Sequence, residues 1–316
     1  MNQNYYINYY SQISTEIYFY GSVVIVPIGF FLNLVQYIVY SHRNFAKANI
    51  GFLMKLLTVA DTVALSWNIL VFRYLRLIGL DLSLVSNFSC AIFYFIARTF
   101  QETPFFFQAF IAFVNYLSVT NPSKYMIFKK KGNLLACFIS IGAMVALINI
   151  PNTYRYLFEA TNQTLTCKIS DQMNIIATLE FSLVRNIVPL ILMSIMNVLT
   201  VRALINPRIR LNFSIKNEIK FARTMLMLGV VFVIFGLPFS LSQIAVIVYQ
   251  YIFNYSEESD FIIQISFISD CARIWAFSYY GMGCLISLLF NRLFRKSIVD
   301  IKNNVKTKFI LFFSEL

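Results

Sequence analysis

The sequence predicts an all-α membrane protein, a seven-transmembrane helix bundle with a short amphipathic eighth helix. Of its 316 residues, 59% are hydrophobic and 13% are charged, whereas a soluble domain carries about 25% charged residues. Lipid must therefore be the main solvent of the chain. Seven apolar runs are long enough to cross a hydrocarbon core about 30 Å thick as helices. They cover approximately residues 17–41, 50–79, 90–118, 133–152, 175–205, 221–252 and 262–290.

These runs divide the chain into three segments. We expect residues 1–16 to form an extracellular N-terminal tail, 17–290 the seven-transmembrane domain, and 291–316 a cytoplasmic amphipathic helix and tail. Residues 1–16 contain no Lys or Arg and no cleavage-site pattern. We therefore do not expect a removable signal peptide.

The basic residues predict the orientation, because cytoplasmic loops retain an excess of Lys and Arg. With the N-terminus extracellular and the C-terminus cytoplasmic, 19 of the 26 Lys and Arg residues fall on the inner side, against three of the 14 acids. We attribute this charge to contact with anionic inner-leaflet lipid and cytosolic partners rather than with nucleic acid.

Sequons for N-glycosylation agree with this orientation. Asn87, Asn162 and Asn254 begin sequons in predicted outer segments, where we expect glycosylation, and Asn212 begins one on the inner side, where the residue should stay unmodified.

Two cysteines also fall in predicted outer segments, which face an oxidising compartment. Cys90 lies at the outer start of the third run, and Cys167 lies in the longest outer loop. A disulfide between them would hold this loop over the mouth of the bundle and contribute about 4 kcal/mol in the chain-entropy model. We predict no metal site and no cofactor, because the sequence has no C-x-x-C motif and His42 is its only histidine.

Five polar, aromatic and proline residues within the runs carry a family resemblance. They are Asn33 in GFFLN, Asp61 in LLTVAD, Pro189 in RNIVPL, and Phe232 and Pro238 in VFVIFGLP. In this order and on these runs they resemble the landmarks of a rhodopsin-like (class A) G-protein-coupled receptor. The run PLILMSIMNVLTVRAL is similar to invertebrate neuropeptide receptors in particular.

The resemblance implies a plasma-membrane receptor that binds an extracellular ligand, a short peptide, and signals to a cytosolic heterotrimeric G protein. A chemosensory receptor for a small molecule and a seven-helix transporter are the alternatives. An enzyme is not expected, because the chain has no H-E-x-x-H or G-x-S-x-G motif. A carboxylate such as Asp61 in mid-bilayer costs about 2.5–3.5 kcal/mol on insertion scales and points to a functional role.

Several family motifs are altered. The D-R-Y of the third helix is V-N-Y at residues 114–116, the N-P-x-x-Y of the seventh is G-C-L-I-S at 283–287, and the C-W-x-P of the sixth is F-G-L-P at 235–238. Asn115 therefore replaces the switch arginine, and Asn197 stands where many relatives have Tyr. The resemblance implies that the conformational switch consists of Asn33, Asp61, Asn115, Asn197, Phe232 and Pro238. We predict weak or unconventional G-protein coupling, with Asn115 able to form hydrogen bonds to Asn197 or Ser287.

Helical spacing puts polar residues of the third, fifth and seventh runs on one stripe of each helix. The resemblance implies that these stripes, with Phe239 and Gln243 of the sixth run, face a ligand pocket in the outer half of the bundle. Ionisable side chains at this depth are costly, so they should face a watered cavity or each other. Intrahelical pairs, Arg98 with Glu102 and Asp270 with Arg273, are the alternative interpretation. The predicted pocket residues are Arg98, Gln101, Glu102, Phe105, Ser182, Arg185, Phe239, Gln243, Asp270 and Arg273.

The segment after the last run predicts the eighth helix. Apolar residues recur at helical spacing, while cations occupy other positions around each turn, as in a helix that lies against anionic inner-leaflet lipid. The apolar positions are Phe294, Ile298, Ile301 and Val305, and the cations are Arg295, Lys296 and Lys302.

Overall fold

The computed structural model describes residues 3–46, 49–68, 78–80, 82–153, 156–161, 164–169, 187–205, 216–249 and 260–314. These residues are almost entirely helical, which confirms the predicted all-α class. The long helices are α1 (Gln3–Ser41), α2 (Asn49–Leu65), α3 (Asn87–Thr120), α4 (Lys131–Thr153), α5 (Val188–Ile205), α6 (Lys216–Ile247), α7 (Asp260–Phe290) and α8 (Arg292–Ser314). Single helical turns occur at Arg43–Ala46, Leu82–Leu84, Pro122–Tyr125 and Met126–Lys129.

Six stretches of the described chain are long and apolar enough to cross a bilayer, and they lie in α1, α3, α4, α5, α6 and α7. Helix α2 is equally apolar but spans 17 residues. The run predicted at 50–79 continues past it into residues 69–77, which lie outside the described residues. Each of the helices α1 to α7 thus overlaps one of the seven predicted runs, and residues 175–186 of the fifth run also lie outside the described residues.

Helix α1 begins at Gln3, well before the predicted start of the first run at residue 17. Two contacts hold this extension against α7. The rings of Tyr10 and Phe267 lie 5.4 Å apart, and Ser14 Oγ donates to Asp270 Oδ2 over 2.7 Å. Residues 3–16 are therefore a helical extension that packs on the bundle.

A β-hairpin that the sequence analysis did not predict follows α4. Its strands, β1 (Tyr156–Thr161) and β2 (Thr164–Ile169), pair antiparallel, with Cys167 opposite Phe158. The disulfide between Cys90 and Cys167, with a Cα–Cα distance of 5.8 Å, joins β2 to the first turn of α3 and confirms the predicted pairing. We call this end of the bundle the hairpin end, and the opposite end, with Arg43 and Arg292, the basic end.

The largest buried cluster lies between the helices towards the basic end. Among its most buried members are Tyr40, Leu53, Ile111, Leu134 and Phe294, each at most 1% exposed. Because these residues belong to α1, α2, α3, α4 and α8, the cluster joins the eighth helix to the bundle.

The corner between α7 and α8 is held by two side chains. Asn291 Oδ1 accepts hydrogen bonds from the backbone N–H groups of Leu293 and Phe294, at 3.0 and 3.2 Å. This caps donors that the first turn of a helix leaves unpaired. The Arg295 guanidinium donates to the carbonyl oxygens of Leu288 and Leu289, at 2.8 and 2.6 Å, and so caps the end of α7.

Candidate functional site

A polar cluster lies between α6 and α7 towards the hairpin end. Arg273 lies over the Phe239 ring, with Cζ 5.2 Å from the centroid, and its Nη1 is 3.7 Å from Asp270 Oδ1. Gln243 donates to Ser269 Oγ on the facing helix. Helical spacing put Asp270 and Arg273 on one stripe, and the resemblance implied that Phe239 and Gln243 face it. In the structure Arg273 contacts both Phe239 and Asp270. The intrahelical Asp270–Arg273 pair, considered as the alternative, also forms.

This cluster is partly open. The Arg273 and Asp270 side chains are 23% and 30% exposed, whereas Phe239 is buried. Asp270 also accepts from Ser14 of the α1 extension. A guanidinium has five N–H donors, so Arg273 can serve both Asp270 and a bound anion.

The side chains of the predicted pocket residues on α3 point towards different neighbouring helices. Glu102 is 3% exposed and accepts a 2.7 Å hydrogen bond from Asn149 Nδ2 of α4, so its carboxylate lies at the α3–α4 contact. Gln101 and Phe105 are buried, and the Phe105 ring packs against Tyr280 of α7. Arg98 is half-buried. Glu102 thus faces α4 and lies apart from the α6–α7 cluster.

Some predicted positions fall outside the described residues. Ser182 and Arg185 lie there, as do Asn162 and Asn254 with their sequons. Asn87 is exposed as the first residue of α3.

An aromatic layer closes the bundle beneath the polar cluster. The Phe105 ring lies 4.8 Å from Phe232 and 5.7 Å from Tyr280. Tyr280 OH donates to the Gln101 carbonyl at 2.9 Å, and Tyr279 OH donates to Gln108 Oε1. These phenols connect α7 to α3.

Sequence reasoning missed the roles of Gln108, Tyr279 and Tyr280. The one available signal was Gln108 itself, a polar residue inside the apolar run FFFQAFIAF, since polar groups in membrane helices tend to form hydrogen bonds across helices.

Three predicted switch residues are buried polar groups. Asn33, Asp61 and Asn115 are 2%, 4% and 2% exposed. Both side-chain amide atoms of Asn33 and of Asn115, and one oxygen of Asp61, have no hydrogen-bond partner among the described residues. A buried polar atom without a partner costs about 1–3 kcal/mol, so these positions favour any arrangement that supplies partners.

The other predicted switch residues belong to α5 and α6. Phe232 is buried in the aromatic layer, while Pro238 is exposed on the outside of α6. Asn197 is half-buried, and its Nδ2 would lie 2.6 Å from a Cβ placed on Gly229. A glycine at 229 therefore permits α5 and α6 to approach closely.

Comparison with known families decides what this bundle is. The profile of the 7 transmembrane receptor (rhodopsin family) matches residues 33–277, most of the chain. The chain belongs to the rhodopsin family of receptors. No curated protein matches it closely enough to be reported as a relative. Members of this family are receptors rather than enzymes, so the expectation of no enzymatic activity is confirmed, and the receptor is a multi-pass membrane protein.

The altered motifs of this receptor have direct structural consequences. Gly236 stands at the tryptophan position of C-W-x-P. A Cβ placed there would be 3.7 Å from Phe232 Cε2, an ordinary van der Waals contact, so this position is not closely packed. Asn115 does not bind Ser287, which instead shares a 2.9 Å hydrogen bond with Tyr40 OH. Neither hydrogen bond considered for Asn115, to Asn197 or to Ser287, forms in the structure, and Ser287 binds α1 instead.

Proposed function

We propose that this receptor binds an extracellular ligand with an acidic group, a short peptide, in the cluster between α6 and α7 and signals to a cytosolic heterotrimeric G protein. The observation that supports this is Arg273, a partly exposed cation held between the Phe239 ring and Asp270. Stacking on the ring and pairing with a carboxylate orient the guanidinium before a ligand arrives. Its planar fork then suits a carboxylate.

The neighbouring acid makes a peptide the better fit than a simple anion. Asp270 lies beside Arg273, so a ligand amine and a ligand carboxylate each have a partner of opposite charge. The sequence adds further negative charge shortly before this part of α7, at Glu257, Glu258 and Asp260. A chemosensory ligand carrying a single acidic group would use Arg273 alone.

Potency measurements test this site once a peptide and metabolite library has been screened for ligand-evoked recruitment of a tagged G protein. We expect Arg273→Gln to weaken potency about ten- to hundredfold at matched surface expression, the effect of losing a charge-assisted contact. Arg273→Lys is the matched control, because it keeps the charge and should lose less. A shift below threefold for Arg273→Gln would contradict the site.

We further propose that the hairpin end is extracellular and the basic end cytoplasmic. The excess of Lys and Arg at the basic end supports this orientation, as do the exposed Asn87 and the disulfide at the hairpin end. Antibody should reach an N-terminal epitope tag on intact cells and a C-terminal tag only after permeabilisation. The reverse pattern would exclude this orientation.

Helix α8 is proposed to contact anionic lipid at the basic end. Its apolar residues Phe294, Ile298 and Ile301 pack towards the bundle core, while Lys296 and Lys302 are exposed. Cations near an anionic leaflet contribute about 1 kcal/mol each. The Lys296→Gln/Lys302→Gln receptor should retain less anionic lipid after purification, and equal retention would argue against the contact.

A further inference from the structure

Helices α1 and α7 meet through two buried pairs of residues, each one helical turn apart. Gln36 and Tyr40 of α1 are 0% exposed. On α7, Gly283 and Ser287 face them. Tyr40 OH and Ser287 Oγ share a hydrogen bond of 2.9 Å, and a Cβ placed on Gly283 would lie 2.7 Å from Gln36 Oε1.

Gly283 and Ser287 are the positions at which the family motif N-P-x-x-Y carries an amide and a phenol four residues apart. Here the amide and the phenol are also four residues apart, but they belong to Gln36 and Tyr40 of α1. A Cβ on Gly283 would lie so close to the Gln36 amide that a larger side chain there requires Gln36 to move. We infer that Gln36 and Tyr40 are positioning residues that take over, from α1, the placement of the basic end of α7.

Further contacts fix these two side chains in place. Gln36 Nε2 donates to Thr58 Oγ1 of α2 over 2.8 Å. The Tyr40 ring lies 5.3 Å from the Phe294 ring of α8. Helix α1 is thereby tied to α2, α7 and α8 around one buried point, and the basic end of α7 cannot move away from α1 without breaking the Tyr40–Ser287 bond.

One atom at this point is suited to a second arrangement. Gln36 Oε1 is buried and has no hydrogen-bond partner among the described residues. A carbonyl oxygen in that condition favours any position of α7 that provides a donor. The Tyr40–Ser287 bond therefore stabilises the observed position of α7. The unpaired Gln36 oxygen favours a second position in which α7 donates a hydrogen bond to it. This inference rests on the proposed signalling function, because it concerns how α7 is placed for a cytosolic transducer.

A double-mutant cycle tests the bond. Tyr40→Phe and Ser287→Ala should each change basal nucleotide exchange on a panel of purified G-protein heterotrimers by about two- to tenfold, the effect of one neutral hydrogen bond on a two-state equilibrium. The double variant should be no more affected than either single one. Tyr37→Phe is the matched control, because Tyr37 is a 43% exposed tyrosine on the same helix, and it should behave as the unaltered receptor.

An exchange of side chains tests the fit. Gly283→Asn alone should lower surface expression, because its Cβ would meet Gln36 Oε1 at 2.7 Å and displace an amide that is bonded to Thr58. Adding Gln36→Ala should restore expression, because it removes the Gln36 amide and leaves room for the amide of the new Asn on α7. Independent, additive effects of Tyr40→Phe and Ser287→Ala, or failure of Gln36→Ala to rescue Gly283→Asn, would overturn the inference.

A third measurement separates this inference from the proposed function. Spin labels on Val299→Cys and Met126→Cys, both exposed sites near the basic end, report the distance between α8 and the turn after α3 without any G protein, with Cys137 and Cys271 replaced by Ser. Tyr40→Phe should shift this distance distribution whether or not the receptor activates a G protein. If the unaltered receptor activates none of the heterotrimers, that result counts against G-protein coupling and not against the role of Tyr40. An unchanged distribution would mean that Tyr40 and Ser287 only pack against each other and do not position α7, which would overturn the inference.

Discussion

At the scale of single residues, Asn115 stands where the D-R-Y motif of the family has its arginine. Its side chain is buried and unpartnered within the described chain. We expect Asn115→Arg to change basal or evoked signalling. The same change should lower surface expression, because an unpaired buried charge costs about 3–5 kcal/mol. Adding Val114→Asp supplies the acidic neighbour and should recover expression. Signalling equal to that of the unaltered receptor in both variants, at matched expression, would show that Asn115 is not an altered switch.

At the scale of elements, the corner between α7 and α8 depends on the Asn291 cap and the Arg295 guanidinium. Replacing an Asn cap by Ala typically costs about 1 kcal/mol. Asn291→Ala should therefore lower the midpoint of thermal unfolding of the purified receptor. Asn291→Asp is the control, because its carboxylate accepts the same two N–H bonds and favours a helix N-terminus. Equal midpoints for Asn291→Ala and the unaltered receptor would mean that α8 does not need this cap.

At the scale of the whole molecule, the Cys90–Cys167 disulfide closes a segment of 77 residues that contains α4 and the hairpin. In the chain-entropy model its removal costs about 4 kcal/mol. The Cys90→Ser/Cys167→Ser receptor should therefore unfold at a lower temperature and reach the cell surface in smaller amounts. Cys137→Ser, at a half-buried free thiol, controls for the loss of a cysteine and should have little effect. Indistinguishable unfolding of the two variants would show that the helices alone hold the hairpin end together.

Helix positions were predictable because lipid imposes a simple rule on the chain. Backbone groups inside a bilayer must pair within their own segment, so a continuous apolar run of sufficient length becomes a helix. The runs predicted at 90–118, 133–152 and 262–290 accordingly became Asn87–Thr120, Lys131–Thr153 and Asp260–Phe290. The rule does not cover residues 3–16, whose helix depends on contacts with α7, or the hairpin, whose strands depend on each other and on Cys90.

The candidate site was predictable only in part. Spacing of i, i+3 brought Asp270 and Arg273 together, and the structure confirms their contact. The same reasoning placed Glu102 in the pocket, whereas Asn149 of α4 binds its carboxylate. Spacing fixes which residues share one helix face, but it says nothing about which neighbouring helix that face meets.

By itself, then, the sequence determined that this chain is a helical membrane protein with the landmarks of a rhodopsin-like receptor and an altered D-R-Y motif, because hydrophobic length and motif order are local properties. Only the tertiary structure decided which helix supplies the groups that α7 lacks. Tyr40 and Ser287 are 247 residues apart in the chain, as are Gln36 and Gly283. No pattern along the sequence pairs them, since their meeting depends on how α1 and α7 pack across the bundle.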